Sequence, residues 1–346
     1  MERDQIRIAR EYRGLSQTGL AGKVDGLSQS NLSKYESGLL ELSANVKERI
    51  MMALDFPAGF LLVDARNVVE NEHYRKRKNI KAEDKRKIEG AVAMIGYWID
   101  TLAEPFDLPD YNFGCYDLCD GYTATEVARQ VRRKFRLGNA PIDDICTLLE
   151  NNGVIIYLWN CECEGFDGVS FTTSNGNVVL IANANMSNDR LRFTIAHELG
   201  HIIMHENTDT FIPDFRNKEA EANEFASEFL YPNVIAKSQL CNVTMARMPA
   251  LKGYWKLSMQ AILEKAYKNE YIYKNKYVQL RGEFSRKGWI KKEPYPVDLP
   301  RPTIIDNMQK MSASELGQGS DELRKRAQLP LDFLRKPKRS NVVAIF

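Results

Sequence analysis

Arg192-Phe193-Thr194-Ile195-Ala196-His197-Glu198-Leu199-Gly200-His201-Ile202-Ile203-Met204-His205 is the stretch around which the chain is organised. Laid out at about 100° per residue, it gathers Thr194, His197, Glu198, His201 and His205 into one polar stripe, and apolar side chains cover the rest. A helix apolar nearly all round belongs in a core. Burying imidazoles and a carboxylate in a row is unfavourable unless something compensates them, and a cation held by those groups is the simplest compensation. His197 and His201 stand four residues apart, so both rings reach one ion, with Glu198 beside them. An accidental match would leave core histidines bonded to backbone carbonyls. Against that, the chain has 4 histidines and all but His73 lie in this stripe.

His197-Glu198-x-x-His201 is the pattern of zinc peptidases, in which Glu198 takes a proton from metal-bound water. Such a site needs a third protein ligand. Glu219 to Leu230 reads as a second helix, ended by Pro232, with Ala222, Phe225, Ala226, Phe229 and Leu230 on its apolar face. Glu221, Glu224 and Glu228 project on the opposite side, whereas Glu219 borders the apolar face with Asn223 one turn on. Glu219 is therefore the favoured third ligand and Glu221 the alternative. Zinc suits two imidazoles and a carboxylate best, and manganese is the second choice.

The runs Arg190–His201, Glu219–Ala226 and Leu230-Tyr231-Pro232 resemble the ImmA/IrrE metallo-endopeptidases. The likeness extends upstream through Gly138–Ile142, Gly153–Ile156 and Phe166-Asp167-Gly168-Val169-Ser170, and covers roughly residues 122–270. It implies a zincin-like fold in which His197, His201 and Glu219 match the metal ligands and Glu198 the general base. Tyr231 departs from the pattern, standing where Met or Leu is more usual. His205 and Asn223 are candidates to orient the ligands or to bond the oxyanion of the reaction. The resemblance also implies a regulatory role, in which cleavage of a repressor or a repressor-like partner switches genes on after stress or in a mobile element.

At 346 residues, with 44% hydrophobic and 27% charged side chains, the composition is that of a soluble protein of two or three domains. No run is long and apolar enough for a membrane span, and Met1-Glu2-Arg3-Asp4 leads into no signal region, so the expected location is the cytoplasm. Six cysteines spread over the chain fit reduced thiols. Neither Cys115-x3-Cys119 nor Cys161-x-Cys163 has the usual spacing of a second metal site. A net charge of +2 does not by itself imply a nucleic-acid partner.

In the N-terminal 60 residues, a helix over 3–13 precedes two short helices capped by Ser16 and Ser28. Short capped helices joined by a tight, Gly-containing turn are the helix-turn-helix signature. Leu15-Ser16-Gln17, Leu20-Ala21 and Glu36-Ser37-Gly38 resemble the Cro/CI-type (XRE) DNA-binding domains. In that fold Gln29, Ser30, Asn31 and Lys34 would face base edges of double-stranded DNA, and Gln17 with Ser28 would hold phosphates. A helical bundle used for protein contacts is the plainer alternative: eight Lys/Arg face eight Asp/Glu in residues 1–60, so phosphate neutralisation must come partly from a dimer or from elsewhere. His73–Lys78 and Lys85-Arg86-Lys87 make 66–90 a basic connector, either a phosphate-contacting arm or a solvated linker face. Ile88, Val92, Ile95, Ile99 and Leu102 then recur at helical spacing, giving an amphipathic helix from Ala82 to Ala103 available to the peptidase segment or to a second subunit.

Beyond a loop at 105–121, helices are expected from a Thr123 cap to Phe135 and over 142–151, opened by Pro141. Strands follow at 154–158, 168–172 and 178–182, the last two joined by an Asn175-Gly176 hairpin. The strand at 178–182 is expected to be the sheet edge beside the metal, where an extended polypeptide pairs by its backbone. Helices near 234–240 and 257–269 come next, then tyrosines among lysines (Tyr267 to Tyr277), an extended Pro294–Pro302 stretch, a late helix and a basic tail at Arg324-Lys325-Arg326.

The expected fold is α+β: an all-α helix-turn-helix unit (1–64), a basic helical linker (65–120), a zincin-like peptidase with a small sheet packed on its active-site helices (121–270) and a mixed C-terminal region (271–346). The expected function is a DNA-tethered zinc endopeptidase acting on a protein substrate, a homodimer being one arrangement. The alternative is a transcription regulator whose zincin-like part senses or binds a partner without turnover.

Overall fold

Ser16 and Ser28 each accept a hydrogen bond from the backbone N–H three residues on, Gly19 at 3.0 Å and Asn31 at 3.1 Å, and so start two helices. These are α2 (Gln17–Ala21) and α3 (Gln29–Glu36), held between α1 (Glu2–Tyr12) and α4 (Ala44–Leu54) in a computed structural model that describes residues 2–66, 80–206 and 216–333. Ile6, Ala9, Leu20, Leu32, Tyr35 and Ile50 are buried between them. The Arg10 guanidinium, buried on α1, donates to both oxygens of Glu36 at 2.7 and 2.9 Å, and Gln17 donates to the same carboxylate at 2.8 Å. One satisfied buried charge pair thus fixes three helices relative to one another.

The helix expected from Ala82 to Ala103 is present with those bounds as α5, but it is not amphipathic in its setting. Besides the expected stripe, Ala91, Met94, Trp98 and Ala103 are buried, because α1 covers one side and the sheet another. A Cβ at Gly90 would lie 2.2 Å from the Tyr12 backbone nitrogen, so only glycine lets α1 and α5 meet backbone to backbone. Arg86 donates to the Gly14 carbonyl and Lys87 pairs with Glu83, so this half of the basic connector is engaged with the protein itself. His73–Lys78 lie outside the described residues.

Two helices, α6 (Ala124–Lys134) and α7 (Ile145–Glu150), lead to the sheet. Thr123 and Glu126 close a reciprocal capping box on α6. α7 begins later than Pro141 suggested, because Asp144 accepts from the Thr147 N–H and caps it there. The strands are β1 (Val154–Trp159), β2 (Gly168–Thr172) and β3 (Val178–Asn183), in the order β1-β3-β2, with β1 parallel and β2 antiparallel to β3. β3 is therefore central, which corrects the expected edge: its six residues are all buried, as a strand covered on both faces requires. Alternation sends Val179 and Ile181 toward α5 and the N-terminal helices, and Val178, Leu180 and Ala182 toward the histidine helix.

That helix is α8 (Asn188–His201), continued by a π turn at Ile202–Glu206; α9 (Lys218–Leu230) packs against it. Next come α10 (Asn233–Leu240), α11 (Met248–Trp255), α12 (Met259–Lys268) and α13 (Lys274–Arg286), of which α11 and α13 were not expected. Tyr231 stacks on Trp255 with ring centroids 4.0 Å apart and donates to Gln239, so the departure from the family pattern is accommodated by packing. After the extended proline stretch come α14 (Ile304–Glu315) and α15 (Ser320–Arg326). Arg324-Lys325-Arg326 is thus helical and not a tail: Leu323, Ala327, Leu329 and Phe333 enter the same core as α5 and α1, while residues 334–346 lie outside the described ones. The described part is α+β, mostly helical with one three-stranded sheet, and no described helix is long and apolar enough to cross a membrane.

Candidate active site

α8 is buried along most of its length, so its polar stripe faces inward. Gly200 lets α9 approach: a Cβ there would meet the Phe225 ring at 3.0 Å and the Ala222 backbone at 3.4 Å. Close packing of α9 on α8 brings Glu219 over the two imidazoles. His197 Nε2 and His201 Nε2 are 3.1 Å apart, and the Glu219 oxygens lie 3.3 Å from His201 Nε2 and 3.6 Å from His197 Nε2. Ligands of a tetrahedral zinc with bonds of about 2.0–2.1 Å are separated by about 3.3 Å, so the donor set and its spacing fit this ion. Among the described residues, this is the group of His, Cys, Asp or Glu whose donor atoms all lie within 4.8 Å of one another.

The protonation states agree with such a cage. Burial pushes His201 down to about 3, so its ring is neutral at physiological pH. Burial alone would raise Glu219, but the His197 and His201 rings beside it hold its carboxyl far below the usual range. The Glu219 side chain keeps 38% of its exposure, whereas the imidazoles are nearly sealed. Solvent thus reaches the cage from one side, as a hydrolytic centre needs and a closed structural site does not.

Glu198, buried on the same stripe, faces β2. A Cβ at Gly168 would crowd Thr194 at 2.8 Å and Glu198 at 3.2 Å, so this glycine seats the strand directly on the helix. Ser170 Oγ donates to Glu206 Oε1 at 2.7 Å and stands 3.3 Å from Glu198 Oε2. Glu206 is half-buried with its Oε2 sealed from solvent, and that desolvation raises its carboxyl to about 8. Sequence reading did not assign roles to Ser170 or Glu206. Ser170 ends the Phe166–Ser170 run and had a signal there; Glu206 had none, because the π turn shifts it out of the helical phase.

The remaining candidates are distributed around this centre. His205 Nδ1 lies 2.9 Å from His201 Nδ1, and its Nε2 lies 2.8 Å from Glu221 Oε2. Glu221, the alternative ligand, is thus turned to His205, where Arg216 also grips it. Asn223 donates to the Glu219 backbone carbonyl at 2.7 Å and lines a cavity of about 640 Å³ with Phe193, Ala220, Thr125 and Lys265. Glu228, expected on an open face, is buried and bonded to Arg129 because α6 and α12 cover that side. Far from the centre in sequence, Ser28, Gln29, Ser30, Asn31 and Lys34 are exposed along α3, and Gln29 donates to Gln17 at 3.0 Å.

No curated protein matches the chain. Residues 155–267 match the family model of the IrrE N-terminal-like domain, Peptidase M78. The matched segment, about a third of the chain, spans the sheet, α8 and α9, and with them His197, Glu198, His201 and Glu219. That match supports the ImmA/IrrE part of the resemblance and a metallopeptidase family for residues 155–267.

Proposed function

We propose that this protein is a DNA-tethered zinc endopeptidase that regulates transcription by cleaving a repressor or partner regulator. The observation that carries the peptidase half is the convergence of His197, His201 and Glu219 on one point beside Glu198, inside the segment that matches a peptidase family. His197, His201 and Glu219 would hold the ion. Zinc held there would supply an acidified water and polarise the scissile carbonyl. Glu198 would take a proton from the attacking water and deliver it to the departing amide nitrogen. Ser170 keeps the Glu198 carboxylate oriented. β2, and not β3, is the edge strand over Glu198, and an extended substrate pairing along its outer side would present its carbonyls in turn.

The regulatory half rests on the N-terminal helices. Both expected caps are made, and Gln29, Ser30, Asn31 and Lys34 lie exposed on one helix, which suits base-edge contacts in a major groove. Arg10, Arg13 and Lys47 are committed to Glu36, Asp332 and Glu2, so few cations of this unit remain for phosphates; a homodimer on two half-sites would double them. Incubation with candidate repressors tests the proposal: wild type cleaves one, Glu198→Ala does not while keeping its zinc, and Gln29→Ala/Asn31→Ala abolishes operator protection. Absence of cleavage under inducing conditions, with partner binding retained, would favour the sensor reading over a peptidase in the cytoplasm.

A further inference from the structure

Four arginines, Arg129, Arg132, Arg133 and Arg136, line a cavity of about 460 Å³ between α6, the turn that follows it and the start of α10. Glu228 on α9 is the acid that lines it with them, and no residue of the proposed cage takes part. That carboxylate is already shared. Arg129 Nε donates to its Oε1 at 2.8 Å, the Asn233 N–H donates to its Oε2 at 2.8 Å, and Lys265 Nζ lies 3.8 Å from the same Oε2. Arg132 is buried and gives its donors to the backbone carbonyls of Gly138, Ala140 and Phe229. Carbonyl dipoles satisfy those N–H groups but bring no net charge to set against the guanidinium. Arg133 and Arg136 are exposed and form no hydrogen bond or ion pair among the described residues. The cavity therefore concentrates positive charge in a concave wall, where the fields of its cations add.

Cations in the last turn of a helix favour its carbonyl dipoles, which accounts for Arg132 and Arg133 at the end of α6. It does not account for Arg136, which stands beyond the helix at a φ of 53°, a conformation that glycine takes more readily. We infer that this cavity binds a small ligand carrying two or more linked phosphate groups. Planar guanidinium forks match phosphate oxygens in pairs. The volume lies in the range of small-molecule sites, roughly 300–1,000 Å³. Val234, 66% exposed, gives the wall an apolar surface for the organic part of such a ligand. A nucleic-acid strand calls for cations spaced along a groove, whereas these are gathered in one hollow. Arg129 and Arg132 both hold the C-terminal part of α9, at Glu228 and Phe229, and the first turn of that helix carries Glu219. The phosphate site and the proposed cage thus lie toward opposite ends of one helix.

Isothermal titration of the full chain with inorganic tripolyphosphate and with ATP, at about 0.15 M salt, tests this. Saturable binding of both is expected, weakened about 10-fold by Arg133→Gln and about 10-fold again when Arg136→Gly is added. Glycine suits the positive φ at 136, so the loss in the double variant cannot be laid to a disturbed turn. Lys291→Gln/Lys292→Gln removes the same charge from exposed positions outside the cavity and should leave the affinity unchanged. No saturable binding of either compound, unchanged affinity in the arginine double variant, or an equal loss in the lysine control would overturn the inference. Tighter binding of a short single-stranded oligonucleotide or of hexaglutamate than of either phosphate compound would also overturn it, by making the surface one for a polymer. Failure of the chain to bind zinc or to cleave a repressor would leave this result untouched, since the site uses none of the cage.

Discussion

Ser170 on the edge strand β2 and Glu198 on α8 face each other, the hydroxyl oxygen 3.3 Å from Glu198 Oε2 while its proton goes to Glu206. The contact crosses from sheet to helix. It packs a hydroxyl against one oxygen of the proposed base and so limits how that carboxylate can turn.

Ser170→Ala should therefore lower kcat by about 10-fold, a loss in the range of one misplaced acid–base group. KM and zinc content should stay near wild type, and Ser170→Thr should recover part of the rate. Steady-state kinetics on a cleaved substrate, with metal analysis beside it, checks this. An unchanged kcat would remove Ser170 from the mechanism.

Glu206 predicts a pH dependence of stability. Its folded-state value is about 8, raised from the ordinary 4.5 chiefly by burial. Between those values the folded chain keeps a proton that the unfolded chain has released. This contribution is full below about 4.5 and is lost as pH rises through about 8. The unfolding free energy of wild type from urea melts should fall from pH 6 to pH 8.5 relative to Glu206→Gln, by an amount on the order of a few kcal/mol. Parallel curves for the two proteins would show that Glu206 is not protonated in the fold.

The α1–α5 contact gives a test of packing. Gly90→Ala would place a methyl 2.2 Å from the Tyr12 nitrogen, a backbone atom that cannot step aside. Destabilisation of about 1–3 kcal/mol is expected from urea melts, as for other overpacked cores. Gly253→Ala is the control: nothing lies within 4 Å of its Cβ, so a gain of about 0.5–1 kcal/mol is expected.

Much of this fold was legible from local signals. Ser16, Ser28 and Thr123 start helices because their side chains satisfy free N–H groups, and that chemistry is readable in a few residues. The hairpin at Asn175-Gly176 and the three strands were likewise visible, since Gly176 takes a positive φ that the turn demands. The strand order was not, because a parallel β1–β3 pairing depends on what packs across the sheet. Periodicity named the inward stripe of α5 but could not foresee that its other faces would be covered by segments as distant as Leu323 and Phe333. In the site, spacing pointed to His197, Glu198 and His201, and helix phase favoured Glu219. The roles of Glu221 and Arg216 were hidden, because an acid facing a histidine on another helix leaves no periodic trace.

Zinc content after exhaustive dialysis, compared across Glu219→Ala, Glu221→Ala, His201→Ala, Glu198→Ala and wild type, tests the central claim most directly. One zinc per chain is expected in wild type and Glu198→Ala, none in His201→Ala or Glu219→Ala, and a weakened but present ion in Glu221→Ala. Full zinc in Glu219→Ala, together with its loss from Glu221→Ala, would contradict the proposed cage.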